Sequence, residues 1–264
     1  MTKSSTFAVL VAAVALIAII LGALVTSLTR PIAATPNAVI SPVFGLWHHM
    51  IGGVSVVLML ALAIGLRNQL AWIALAAGVL DAFLGFTPQT FASILHALLA
   101  QIFFGSIVAL AVTASAVWKR GPDPIQDTWR PSLRSLAIAV PAVILLQTTL
   151  GASYRYHALG VLWHILNAMI VLLLVLIVAI FLVRQFPEHR TLRPGALALA
   201  IITSIQVMLG FTTFMMLILF PETSLAVVIT SVFHVTTGAL TFAAGLALSI
   251  LIRYNAVEKS RTGA

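Results

Sequence analysis

Apolar residues run along this chain in long blocks, each cut off by a short charged, proline-bearing or otherwise polar stretch. The blocks fall at roughly 6–28, 45–66, 70–87, 90–118, 133–153, 158–183, 195–219 and 225–252. Most are close to the ~20 residues that a helix needs to cross the hydrocarbon core of a bilayer. The breaks, at Arg30 to Pro42, Arg67 to Gln69, Thr87 to Gln89, Lys119 to Pro131, Arg184 to Pro194 and Pro221 to Ser224, read as turns. The pattern predicts an all-α, polytopic membrane protein with eight transmembrane helices.

Within that pattern a repeat stands out. A Leu-Gly pair closes each odd-numbered helix, at Leu21-Gly22, Leu84-Gly85, Leu150-Gly151 and Leu209-Gly210. In the last three a polar residue precedes the leucine by three positions: Asp81, Gln147 and Gln206. A Trp-His pair opens the second helix of each half, at Trp47-His48 and Trp163-His164. A unit of four helices brings the chain back to the side it started from, so the two halves share one orientation. The expected arrangement is two tandem four-helix bundles related by a pseudo-two-fold axis along the membrane normal. The N-terminal bundle takes 1–120, a cytoplasmic linker 121–132, and the C-terminal bundle 133–264.

Composition agrees with lipid as the solvent. The chain is 61% apolar and 8% charged, against about 45–50% and about 25% in soluble domains. The net charge of +8 invites a nucleic-acid reading, but its distribution removes it. With alternating helices, every basic residue except Arg30 and Arg155 falls on one side. This is the positive-inside pattern of a protein in the cell's inner (plasma) membrane with both termini in the cytoplasm. Cysteine is absent, which excludes disulfides, thiolate metal sites and a cysteine nucleophile. The first apolar run, Phe7 to about Leu28, exceeds the h-region of a signal peptide and is read as a retained helix, with cleavage near Ala33–Ala34 as the alternative.

The seven histidines carry the candidate chemistry. His189 falls in a cytoplasmic loop and is read as solvated, and His157 falls at the outer start of the sixth helix. The other five are His48, His49, His96, His164 and His234, all on even-numbered helices and all within the first turns below the outer surface. An imidazole inside a membrane is costly unless partnered, and such residues face a bundle interior. Four-helix bundles build cofactor sites from facing helices, and two neutral imidazoles at one depth can take both axial positions of a heme iron. His48 with His96, and His164 with His234, are the expected axial pairs. A zinc or copper site is disfavoured because further carboxylate, thiolate or histidine ligands are scarce. Neighbours on a helix point about 100° apart, so His48 and His49 compete for one role. The Trp-His alignment favours His48, as do the small residues one turn on, Gly52 and Ala168. His49 is then a propionate contact, a group behind the ligand, or an interfacial residue.

Other polar positions are fewer. Arg30 and Arg155 are the outer cations, open to two readings: bidentate partners of heme propionates or snorkelling arginines. Asp81 lies in the third helix one to two turns below the outer end, either a functional carboxylate or, like the glutamines at the matching positions, a structural polar contact. Trp47 and Trp163 are belt aromatics or pack at a heme edge.

The segments Leu21-Gly22-Ala23-Leu24-Val25, Gln147-Thr148-Thr149-Leu150-Gly151-Ala152-Ser153-Tyr154-Arg155 and Gln206-Val207-Met208-Leu209-Gly210, with one histidine opening each even helix, resemble the heme A synthase family of cytochrome oxidase assembly. The resemblance covers nearly the whole chain and implies two pockets. The one at His164 and His234 would hold heme b. The one at His48 and His96 would take heme O as substrate and oxidise a ring methyl to a formyl, giving heme A. Implied partners are an unidentified electron acceptor and heme O synthase or other oxidase assembly proteins. Arg155 matches the family's arginine after the Leu-Gly pair. Where the family has a catalytic glutamate, three residues before the histidine of helix two, this chain has Gly45, and the usual His-Arg pair reads His48-His49. Asp81 is then the candidate catalytic carboxylate of the N-terminal half. A non-catalytic diheme b-type cytochrome is the rival expectation. A small-solute transporter is disfavoured by a midplane nearly free of ionisable groups.

Overall fold

The computed structural model describes residues 2–29, 40–87, 89–127 and 131–258. Within them the helices are α1 (Lys3–Leu28), α2 (Ile40–Leu66), α3 (Gln69–Leu84), α4 (Thr90–Thr113), α5 (Ala116–Lys119), α6 (Leu133–Arg155), α7 (Val161–Gln185), α8 (Leu192–Leu219) and α9 (Leu225–Asn255). All of these but α3 and α5 are long and apolar enough to cross a membrane, which makes this a multi-pass membrane protein. The α3 helix is apolar but has 16 residues. At 1.5 Å per residue it reaches about 24 Å, short of the roughly 30 Å hydrocarbon core.

Local chemistry explains where the helices start. Side-chain oxygens of Thr2, Asn68, Ser115, Ser132 and Ser224 accept from backbone N–H groups in the first turns of α1, α3, α5, α6 and α9, satisfying donors that have no partner inside the helix. Two boundaries differ from the sequence pattern for a related reason. Pro42 and Pro194, expected as breaks, lie in the first turns of α2 and α8, where the missing N–H costs no helical bond. The run expected to continue from 90 to 118 is interrupted after Thr113, because Ser115 caps a separate turn, α5.

Two hydrophobic cores form. One collects α1 to α4 around Val11, Met59, Ala74, Ile107 and Leu110; the other collects α6 to α9 around Leu133, Val175, Leu182, Leu199 and Ile252. In each set the contacts close a circuit: α1 on α2, α2 on α3, α3 on α4 and α4 on α1, then α6 on α7, α7 on α8, α8 on α9 and α9 on α6. The α9 helix serves both cores, turning Ala239 and Ala243 to the first and Phe242 and Leu248 to the second. The Phe242 ring lies on Gly105 of α4 so closely that a Cβ there would stand 2.5 Å from it.

The segment between the halves is tied down rather than free. Strand β1 (Ile125–Asp127) pairs in parallel with β2 (Ala256–Glu258), so a short β bridge interrupts the otherwise helical architecture. Asn255 Oδ1 accepts from Asp123 N at 2.7 Å, and Arg134 Nη1 donates to Ala256 O at 3.0 Å. Tyr254 stacks on Trp118 with ring centroids 3.8 Å apart. His189, expected in solvent, is buried in this cluster. Its Nδ1 accepts from the backbone N–H groups of Thr191 and Leu192 at 3.3 and 3.2 Å, and its Nε2 faces Asp123 O at 3.2 Å. The ring caps the start of α8, a role that sequence position alone did not reveal.

Candidate functional site

His48, His96, His164 and His234 each lie in the first three turns of α2, α4, α7 and α9. Each ring rests on the glycine of one Leu-Gly pair. A Cβ built on Gly22 would stand 2.9 Å from His48 Cε1, on Gly85 3.2 Å from His96 Cε1, on Gly151 2.8 Å from His164 Cε1, and on Gly210 2.9 Å from His234 Cε1. The recurring glycine is therefore a seat: the absent side chain is the space that the imidazole occupies.

The four rings meet as two pairs. His48 and His96 have centroids 5.8 Å apart with planes at 83°, and His164 and His234 are 6.1 Å apart with planes at 88°. Two metal–nitrogen bonds of about 2 Å end to end, with half an imidazole on either side, come to roughly 6 Å. The centroid separation of each pair is close to that span. Among the described residues no group of three or more His, Cys, Asp or Glu side chains is placed to hold a bare metal ion. Two imidazoles alone would suit a metal whose remaining positions a cofactor supplies.

The ring nitrogens differ between the pairs. In the N-terminal pair, His48 Nδ1–H donates to Ala18 O at 2.9 Å and His96 Nδ1–H to Asp81 O at 3.0 Å. A carbonyl can only accept, so the proton sits on Nδ1 and the Nε2 lone pair is left for a metal. The Asp81 carboxylate adds Oδ1 at 2.8 Å from the same His96 nitrogen, off the N–H direction and with no other hydrogen-bond partner. In the C-terminal pair, Gln147 Nε2 lies 3.0 Å from His164 Nδ1 and 3.3 Å from its Nε2, while also donating to His164 O at 3.0 Å. Here an amide donor meets the ring, so the Nε2 lone pair becomes available only if that donor turns aside. His234 Nδ1 and Gln206 Oε1 are buried without partners at the α8–α9 contact. Orphaned acceptor and ring nitrogen are what a site gains from once a ligand fixes the proton.

Ala18, Asp81, Gln147 and Gln206 all precede their glycine by four residues. The polar position noted in the sequence repeat is thus the position behind the histidine. Helix one has alanine there and uses its backbone alone.

The remaining expected residues fall as follows. His49 stacks on Phe86, with centroids 4.6 Å apart and planes at 11°, while its ring also lies 5.4 Å from His48. Arg155 Nη2 donates to Ala23 O at 2.9 Å and Ser27 Oγ at 2.7 Å, reaching from α6 to α1 at the end of the molecule where the histidines lie. Arg30 lies outside the described residues. Trp47 and Trp163 are exposed on the apolar surface. A Cβ on Gly52 or on Gly45 would meet nothing within 4 Å, so both flank open space. Asn167 was not singled out from the sequence. It is buried, and donates to Gln147 Oε1 at 2.8 Å and Val143 O at 3.2 Å. Its signal was available: a lone amide one turn after His164 in an otherwise apolar helix. No protein-family model matches the chain and no curated protein matches it, so the functional reading stands on the geometry of the two histidine pairs.

Proposed function

We propose that this chain holds two hemes, one between His48 and His96 and one between His164 and His234, and acts as a heme A synthase-like oxidoreductase. The carrying observation is the fourfold seat, four imidazoles on four repeated glycines, meeting two by two at a spacing that suits one iron. Bound there, each iron would supply one-electron redox chemistry. The chain's own residues do the rest. The glycines fix ring position, and Ala18 O and Asp81 orient His48 and His96 through Nδ1. Arg155 offers a guanidinium at the same end for a propionate. Open space at Gly45 and Gly52 leaves room beside the N-terminal pair, where heme O would enter as substrate and leave as heme A, water supplying the formyl oxygen and four electrons and four protons passing to an unidentified acceptor. The C-terminal pair would keep a resident heme b.

The same reading takes α3 as an eighth span. His48 and His96 lie near the starts of α2 and α4, and their rings adjoin, so the chain has to return across the bilayer through α3. The two closed contact circuits support tandem bundles about an axis along the membrane normal. On this reading the one-sided distribution of basic residues supports both termini on the cytoplasmic side of the plasma membrane. There the chain would meet heme O synthase or other oxidase assembly proteins.

Two observations favour a second reading, a diheme cytochrome without catalysis. Gly45 stands where a catalytic carboxylate is expected, and Asp81 lies against His96. Purified protein incubated with heme O separates the two. The oxidoreductase reading expects hydroxylated or formyl heme in the extract. Full heme occupancy without such product leaves the cytochrome, and a chain that takes up no heme overturns both.

A further inference from the structure

The position behind each histidine differs in one respect across the four seats: three are uncharged (Ala18, Gln147, Gln206) and one is a carboxylate, Asp81. It is the only Asp or Glu within a helix long or short of the membrane region; the others, Asp123, Asp127, Glu188, Glu222 and Glu258, all lie outside those helices. Its side chain is mostly buried, at 15% exposure, and Oδ1 stands 2.8 Å from His96 Nδ1. No lysine or arginine among the described residues pairs with it, and no hydrogen bond claims that oxygen. The His96 Nδ1–H points to Asp81 O, so the carboxylate acts on the imidazole through its charge beside that proton.

A histidine whose second N–H is held at a carbonyl with a carboxylate charge beside it becomes a more basic ligand, and the groups behind an axial ligand are one of the levers that set an iron's potential. A more electron-rich ligand favours the ferric state. Neutral amides or a carbonyl do this less.

We propose that Asp81 is a positioning residue that sets the iron held by His48 and His96 at a lower reduction potential than the iron held by His164 and His234. The inference rests on the two-heme reading above. An electron shared between the pockets then resides on the C-terminal iron. The direction follows from the placement of one carboxylate rather than from any difference in the axial ligands, which are histidine throughout.

An optical redox titration of the purified, heme-loaded full chain tests it, with His234→Ala used to assign each midpoint to its pocket. The wild type should show two midpoints, the lower one belonging to the N-terminal pocket. Asp81→Asn should raise that midpoint, changing the electron partition between the irons about tenfold, or about 59 mV for a one-electron couple. The upper midpoint should stay where it is. Gln206 holds the matching place beside His234, so Gln206→Asp should lower the upper midpoint. Where Asp81→Asn fails to retain heme, Gln206→Asp decides alone. Two bound hemes whose midpoints do not move in these variants overturn this inference and leave the heme reading standing. A wild-type chain without heme overturns both.

Discussion

Behind His48 stands a backbone carbonyl, and behind His96 the carbonyl of Asp81 with its carboxylate alongside; behind His164 and His234 stand two glutamines. The steric half of the design is nearly the same in both places, since each ring lies on a glycine and each pair is spaced by about one metal ion. The polar half is not. In the N-terminal pair both Nδ1 protons are directed at acceptors of α1 and α3. In the C-terminal pair Gln147 is held from the far side by Asn167 and presents a donor to His164. The corresponding residue of α2, three after His48, is Ile51, which has no amide to offer. On the proposed reading, shape is repeated because the same flat group would fit twice, and the hydrogen bonds diverge because they would govern what each site does to that group.

The largest effect that could break this comparison is loss of a ligand. His96→Ala and His234→Ala should each remove about half of the bound heme, since a bis-histidine iron loses one axial bond in either case. Heme quantified per chain checks it, and unchanged content in either variant would contradict the pairing. The glycine seats provide a graded test. Alanine at Gly151, where the added Cβ would lie 2.8 Å from the ring, should disturb heme binding more than alanine at Gly85, where the distance is 3.2 Å. Forcing one methyl into a filled contact costs about 1–3 kcal/mol, so heme retention in the Ala series should follow the distances. A reversed order would mean that the rings do not occupy these seats. The smallest effect concerns the amide network alone. Asn167→Leu leaves Gln147 Oε1 without its donor and should cost about 1–3 kcal/mol, read as a lower unfolding midpoint in detergent. Ile51→Leu in the other half should be close to neutral on the same scale, and equal losses at both positions would dissolve the contrast between the pairs.

Some of this was legible along the chain, for identifiable reasons. Hydropathy located the long helices because a span must be apolar over ~20 residues to sit in lipid. Element starts were less secure. Pro42 and Pro194 read as breaks, yet the first turn of a helix tolerates proline. A lone loop histidine, His189, carries no pattern that distinguishes a solvated ring from a cap. The Leu-Gly repeat and the histidines were both visible, but nothing in their spacing along the sequence says that each glycine belongs to the histidine of the next helix.

The sequence by itself determined that the chain lives in a membrane, that its halves repeat, and that its intramembrane chemistry is confined to imidazoles, one carboxylate and a few amides. Only the tertiary structure decided which of these groups touch. It set His48 rather than His49 opposite His96, laid Asp81 against His96, and joined Arg155 to the first helix. The reason is that hydropathy is a property of each segment against its solvent. Pairing depends on how helices rotate about their axes, and that is fixed only when small residues let their neighbours close.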